Sequence, residues 1–189
     1  DLLTEVYPDA TITILDKMTY AADIENIKHN LENYKRKLVV GDVCDQELCL
    51  RLTKNQDCII HLAAESHVDN SFHSSINFTR SNTLGTHTLL EAARENNVKL
   101  FIHVSTDEVY GEQLEGEALE GDLLCPSNPY SASKAAAEMI VNSYILSFNM
   151  PIITVRANNI YGYRQFPEKI IPKFILKAIK KEKLTIHGS

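Results

Sequence analysis

Tryptophan is absent from this chain, and glycine is scarce at seven residues in 189. The glycines are too scattered to form a G-x-x-G-x-x-G loop anywhere. The four cysteines, Cys44, Cys49, Cys58 and Cys125, show no C-x-x-C spacing. That argues against a zinc site or a disulfide framework and suits a reducing, cytoplasmic compartment. Cys58 opens an apolar run and is expected to be a core thiol. No apolar stretch approaches the length of a membrane span. Basic residues are outnumbered 19 to 25, for a net charge of −6, so nucleic acid is not an expected partner. The most basic run, Lys177 to Lys183, reads as the solvated face of a helix. Asn77-Phe78-Thr79 matches a glycosylation sequon, which chance explains in a chain with no signal sequence in view. A hydrophobic fraction of 44% still suffices for a packed core.

Short apolar runs alternate with longer helical patterns. Strands are expected at Thr11–Leu15, Lys37–Val40, Asp57–Leu62, Lys99–Val104, Pro151–Val155 and Lys183–Ile186. Helices are expected at Asp45–Lys54, Ser71–Asn96, Pro129–Phe148 and Pro167–Lys180. The runs 58–62 and 100–104 lack clean alternation, which predicts strands buried on both faces of a parallel sheet. Strand–helix alternation then implies right-handed crossovers and a doubly wound α/β fold. The chain opens without methionine and closes just after a strand signal, so both ends read as cut through a fold.

In such a sheet, ligands bind at the carboxyl ends of strands. Asp16, Asp42, Ala63-Ala64-Glu65-Ser66 and Ser105-Thr106-Asp107-Glu108 each follow a strand signal. Taken singly, each has a bland reading as a cap, a turn or a packing site. The repetition of one location four times favours a site. Asp16 stands where a carboxylate accepts from both ribose hydroxyls of an adenosine, and it would repel a 2′-phosphate, so NAD is favoured. The glycine-rich loop expected before it would fall ahead of residue 1. Tyr130 and Lys134, four apart on a helix, share a face. An ammonium beside a phenol lowers its pKa toward the working range, so the pair reads as proton chemistry. Asp107-Glu108 alone would read as helix N-terminal charge. Beside Tyr130 and Lys134 it reads as an acid and a base, two adjacent carboxyls whose pKa values split.

These residues resemble the extended short-chain dehydrogenase/reductase family, and within it the nucleotide-sugar 4,6-dehydratases acting on dTDP-glucose or UDP-glucose. The matching segments are Asp16–Ala21, Gly41–Val43, His61–Ser71, Ser105–Gly111, Asn128–Lys134, Arg156–Gly162 and Gln165–Pro172, in the family's order across nearly the whole chain. A lone Y-x-x-x-K is weak, whereas its company with Thr-Asp-Glu and Phe-Pro-Glu-Lys is specific. Relatives that epimerise C4 usually carry small hydroxyl residues at the Asp107 position. Relatives that decarboxylate a uronic acid or dehydrate GDP-mannose tend to have Thr-Ser-Glu there.

The resemblance implies a Rossmann-like NAD-binding domain over 1–163, lacking its first strand and glycine loop, and the start of a substrate-binding domain over 164–189. It places Asp16, Lys17, Thr19, Asp42, Val43, Leu62, Ala63, Ala64, Ser81, Tyr130 and Lys134 at NAD. It places Ser66, Thr106, Asn159 and Lys169 at the nucleotide-sugar substrate, although Asn159 could simply satisfy a loop and Lys169 could be surface. Tyr130 would take the O4 proton during oxidation at C4, Lys134 would lower the tyrosine pKa and bond the nicotinamide ribose, and Thr106 would hold the O4 region. Glu108 would remove the C5 proton, and protonated Asp107 would help the C6 hydroxyl leave. His61, His67 and His103 are expected to be structural. Ile160 and Asn70 look like the plant-type UDP-glucose enzymes, so the choice between dTDP and UDP stays open. The apolar patch on 129–148 implies a homodimer, though it is equally an ordinary core face. The other readings are a C4 epimerase or uronate decarboxylase, against which Asp107 argues, and a non-catalytic dinucleotide-binding module, against which the intact acid/base set argues. Residues 1–189 alone are expected neither to hold NAD tightly nor to turn over.

Overall fold

The computed structural model describes residues 1–33 and 35–185. Among the described residues, five strands run parallel to their neighbours. β1 (Ile12–Asp16) pairs with β2 (Arg36–Val40), and Asp16 lies opposite Val40. β3 (Cys58–His61), β4 (Leu100–Thr106) and β5 (Ile152–Ala157) form a second sheet in that order. Its register sets His61 opposite His103 and Thr106 opposite Ala157. Parallel neighbours need crossovers, and helices supply them. The helices are α1 (Leu2–Val6), α2 (Lys28–Asn33), α3 (Gln46–Thr53), α4 (Val68–His73), α5 (Ser75–Phe78), α6 (Gly85–Glu95), α7 (Pro129–Phe148) and α8 (Ile170–Ile179). This is the α/β, doubly wound class that the sequence pattern predicts.

The core lies where α3, α6 and α7 meet the β3–β4–β5 sheet. Cys49, Leu90, Ala92, Ala93, Phe101 and Val141 are almost wholly buried there. A buried side chain such as Phe101 or Leu90 contributes roughly 1.5–3 kcal/mol. Along β4, Phe101, His103 and Ser105 are buried while Ile102 and Val104 between them are half-buried. The alternation corrects one expectation: the runs 58–62 and 100–104 are not buried on both faces, since Ile60 and Leu62 are exposed and Ile102 and Val104 only half-buried. Cys58 faces outward too and is not the core thiol. That thiol is Cys49, which burial pushes up to about 11.

Helix α7 matches its expected bounds because its start is chemically marked. The Asn128 side chain accepts from Ser131 N at 2.9 Å, Ser131 Oγ accepts from Asn128 N at 3.2 Å, and Pro129 occupies the first turn. Such a box satisfies backbone donors that the helix itself cannot. The helix ends at Asn149, in the left-handed region with φ 53°. The single helix expected over 71–96 is instead broken. The backbone leaves helical geometry at Ser74, and residues Thr79–Leu84 are π-helical before α6 begins. Helix α2 has no counterpart in the sequence reading. The strand expected at Lys183–Ile186 does not form over Lys183–Thr185, and Ile186 lies outside the described residues.

Candidate active site

The ends of β1, β2 and β3 line one cavity of about 250 Å³. Asp16, Lys17 and Thr19 line it from the end of β1, and Asp42 and Val43 from the end of β2. Leu62, Ala63 and Ala64 follow β3, and Ser81 reaches it from the π-helical segment. The first nine residues expected at NAD are therefore brought together. The Asp16 carboxylate turns the chain by accepting from Met18 N at 2.7 Å. Lys17 Nζ lies 2.8 Å from Asp42 Oδ2, and the contact raises the lysine pKa. Burial pushes the Asp42 carboxyl up, but bonds from Lys17 and Cys44 outweigh it and leave it lowered. A carboxylate at a strand end, small residues and room for a flat base fit the adenosine half of a dinucleotide.

The second group forms where β4 meets α7. β4 delivers Thr106, and a 3₁₀ turn, Asp107–Tyr110, follows at once. Thr106 Oγ1 accepts from Glu108 N at 3.3 Å and donates to Asp107 Oδ1 at 3.2 Å. Asn128, the cap of α7, donates to Glu108 Oε2 at 3.2 Å, so the cap ties the turn to the helix. Gly111 closes the turn at φ 77°, where a Cβ would sit 2.2 Å from the Cys125 carbonyl oxygen. No larger residue fits that conformation.

Tyr130 opens α7, half-buried, with its ring edge-on to Phe78. Burial raises its phenol pKa, the Thr106 hydroxyl bonded to it draws it back, and Glu108 and Asp107 raise it further. The downward shift that the four-residue spacing predicts is thus not the direction found. The reason is where the ammonium goes. Lys134 is buried and donates to the Val104 carbonyl at 2.7 Å, a strand oxygen, and burial lowers its pKa to about 8. Beneath it, burial holds His61 and His103 at about 3, so both are neutral core residues, as expected.

The residues expected at substrate divide. Lys169 Nζ donates to the Ser66 carbonyl at 2.9 Å, which unites those two. Thr106 lies with the group where β4 meets α7. Asn159 is exposed, and its backbone N–H bonds the Asn158 side chain at 2.6 Å. Sequence reasoning gave no role to Asn128 as a holder of Glu108, to Asn82, or to Tyr20 and Glu168. Asn82 accepts from Glu65 N at 2.8 Å and donates to Glu65 O and to Ser133 Oγ, each at 2.9 Å. It thereby locks the loop after β3 to α7. Tyr20 donates to Glu168 Oε2 at 2.9 Å and packs edge-on to Phe166. The position of Asn128 just before Pro129 is a signal that could have marked it. Asp107 and Glu108 also face a second cavity of about 810 Å³, whose walls include Arg156, Glu138 and Tyr110.

Comparison with known proteins follows the same lines. The profile of the family described as GDP-mannose 4,6 dehydratase matches residues 1–189. A trifunctional UDP-glucose 4,6-dehydratase/3,5-epimerase/reductase of Arabidopsis thaliana is 50% identical over 188 residues, covering 96% of this chain and 28% of that protein. The dTDP-D-glucose 4,6-dehydratase of Homo sapiens is 45% identical over 191 residues, covering 99% of this chain and 54% of that protein. This chain therefore spans between about a quarter and about half of these relatives. A crystal structure of a dTDP-glucose 4,6-dehydratase from Streptomyces venezuelae with NAD bound superposes with a TM-score of 0.94 at 36% identity, covering 99% of this chain and 59% of that one.

Proposed function

The chain belongs to the GDP-mannose 4,6-dehydratase family, and from that membership and its site we infer that the protein is an NAD-dependent dTDP-glucose 4,6-dehydratase, yielding dTDP-4-keto-6-deoxyglucose. One observation carries the reading: the end of β4 and the start of α7 bring Thr106, Asp107, Glu108 and Tyr130 together, with the Thr106 hydroxyl touching Asp107, Glu108 N and the Tyr130 phenol, and the cap Asn128 holding Glu108. Four such groups supply an acid, a base and a phenol at one place, which is what oxidation followed by loss of water requires.

The cavity at the ends of β1–β3 would hold the adenosine of NAD, with Asp16 at the ribose, Asp42 and Val43 at the base, and Leu62, Ala63, Ala64 and Ser81 as walls. Lys134 would bond the nicotinamide ribose. NAD, when bound there, would supply reversible hydride acceptance between C4 and C6 of the sugar, with no net change in its own redox state. Tyr130, as phenolate, takes the proton from O4, and Thr106 holds that oxygen. The C4 carbonyl acidifies the C5 proton, and Glu108 removes it. Asp107 gives its proton to the C6 hydroxyl, which leaves as water, and a proton returned to C5 completes the product. Ser66, Asn159 and Lys169 would contact the substrate sugar or its diphosphate.

Residues 1–163 would form the cofactor half and 164–189 the start of the substrate lobe. The exposure of Met139, Leu146 and Phe148 along α7 supports a homodimer. No helix among the described residues is long and apolar enough to cross a membrane, and the free cysteines suit the cytoplasm. A second reading, the same reaction on UDP-glucose, is favoured by Ile160, by Asn70 and by the identity to the Arabidopsis protein. The full-length protein incubated with each substrate, without added NAD, decides by mass spectrometry. A product lighter by one water from one of them supports dehydration and names the nucleotide. No mass change from either, with NAD bound, overturns the reading.

A further inference from the structure

Arg156 occupies the end of β5, remote in sequence from both catalytic motifs, yet its side chain touches the carriers of both. Its Nη2 donates to Glu138 Oε2 at 2.7 Å, and its Nε lies 3.1 and 3.0 Å from the two Glu138 oxygens. Its Nη1 donates to the Tyr110 hydroxyl at 2.6 Å and to the Glu120 carbonyl at 2.9 Å. The guanidinium carbon stands 4.8 Å above the Tyr110 ring. The Glu138 side chain is 2% exposed and that of Arg156 is 19% exposed. Glu138 lies on α7 one turn beyond Lys134, and Tyr110 is the last residue of the turn that holds Asp107 and Glu108.

Resting on the dehydratase reading above, we propose that Arg156 is a positioning residue which, through Glu138 and Tyr110, sets the elimination carboxylates at a fixed distance from the oxidising helix. The turn Asp107–Tyr110 has four residues and few constraints of its own. Asn128 holds its middle at Glu108, and the backbone bond from Cys125 N to Val109 O holds its outer side at 2.9 Å. Arg156 holds its end. A planar fork chelates one carboxylate and bonds a phenol in one fixed geometry, which the point charge of a lysine ammonium does not reproduce. If the turn drifts by about an ångström, a general base can lose a factor of ~10² in rate. Tyr130 and Lys134, fixed within α7, would not drift with it. Loss of the bridge therefore slows water elimination and leaves C4 oxidation intact.

The test uses the full-length protein and its Tyr110→Phe and Arg156→Lys variants, with substrate deuterated at C4 or at C5. Both variants should lose about 10–100-fold in kcat with KM within about twofold. In both, the isotope effect from C5 deuterium should grow and that from C4 deuterium should fall toward unity. Arg156→Lys keeps a cation beside buried Glu138, and if it fails to fold, Tyr110→Phe carries the test, since it removes only a hydroxyl. Unchanged kcat in Tyr110→Phe, a loss confined to KM, or equal slowing of both steps with the isotope effects unmoved would overturn the proposal. Wild-type protein that releases no water from either substrate would overturn the dehydratase reading and the proposal with it.

Discussion

Helix α7 and the turn Asp107–Tyr110 both carry candidate catalytic groups, but they hold them by different means. The helix has 20 residues and is capped by a reciprocal box. It buries Lys134 against a strand carbonyl, in a layer whose histidines are neutral. The turn has four residues and borrows its rigidity from neighbours: a cap amide at Glu108, a guanidinium at Tyr110 and a glycine conformation at its exit. Its carboxylates are half-buried and face a cavity. Burial can tune a cation, whereas carboxylates that must exchange protons with substrate need access. The dry half is stable through its own packing, and the wet half depends on tethers.

The largest effect should come from the dry half. Tyr130→Phe should cost about 10²–10⁴-fold in turnover, because on the proposed dehydratase route oxidation at C4 precedes everything else. Product appearance by mass spectrometry measures this, and near-normal turnover would remove Tyr130 from its role. Asp107→Asn combined with Glu108→Gln should separate the halves. C4 oxidation should persist, trapped by borodeuteride as hexose labelled at C4, while water loss falls by at least about 10²-fold. Full dehydration by the double variant would refute the assignment.

Gly111→Ala strikes the turn's exit, where φ is 77° and the new methyl meets the Cys125 carbonyl. It should cost on the order of 3 kcal/mol in a denaturant titration. A loss below about 0.5 kcal/mol would mean that the turn adapts more readily than its tethers imply. The last test reads the dry half again. Burial holds His61 and His103 at about 3, below the usual 6.5. As pH falls from 6.5 toward 3, the unfolded chain takes up protons that the folded chain refuses, so stability declines with falling pH. Two such groups give a slope of up to about 3 kcal/mol per pH unit. His103→Leu should roughly halve their share of it, and an unchanged slope between pH 7 and 5 would place the acid sensitivity elsewhere.

Legibility in the sequence followed the same division. The strands were readable from apolar runs, and α7 from Asn128, Pro129 and its uninterrupted length. Asp16, Asp42, Ala63 and Ala64 at the adenosine-sized cavity were readable because strand ends in parallel sheets point to one edge, whereas Lys17, Thr19, Val43, Leu62 and Ser81 came only with the family resemblance. What was not readable depended on contacts distant in sequence. Nothing local shows that Lys134 spends its bond on Val104, that Cys58 faces outward, or that Arg156 reaches both α7 and the turn. A charged residue one turn after Lys134, on the same face of the helix, was a usable hint that Glu138 had a buried partner. The break of the 71–96 helix was equally hidden, since its residues are compatible with an unbroken helix.

That break constrains what the gene can tolerate. The π-helical residues Thr79–Leu84 carry Ser81 to the cavity at the ends of β1–β3 and Asn82 to Glu65 and Ser133. A π turn amounts to one residue more than an α turn holds. Removing any one residue between 79 and 84 would let the segment relax into a regular α-helix. It would also swing the residues on one side by roughly 100° relative to the other. Substitutions there change one contact at a time, whereas a three-base in-frame deletion would misdirect Ser81 and Asn82 together.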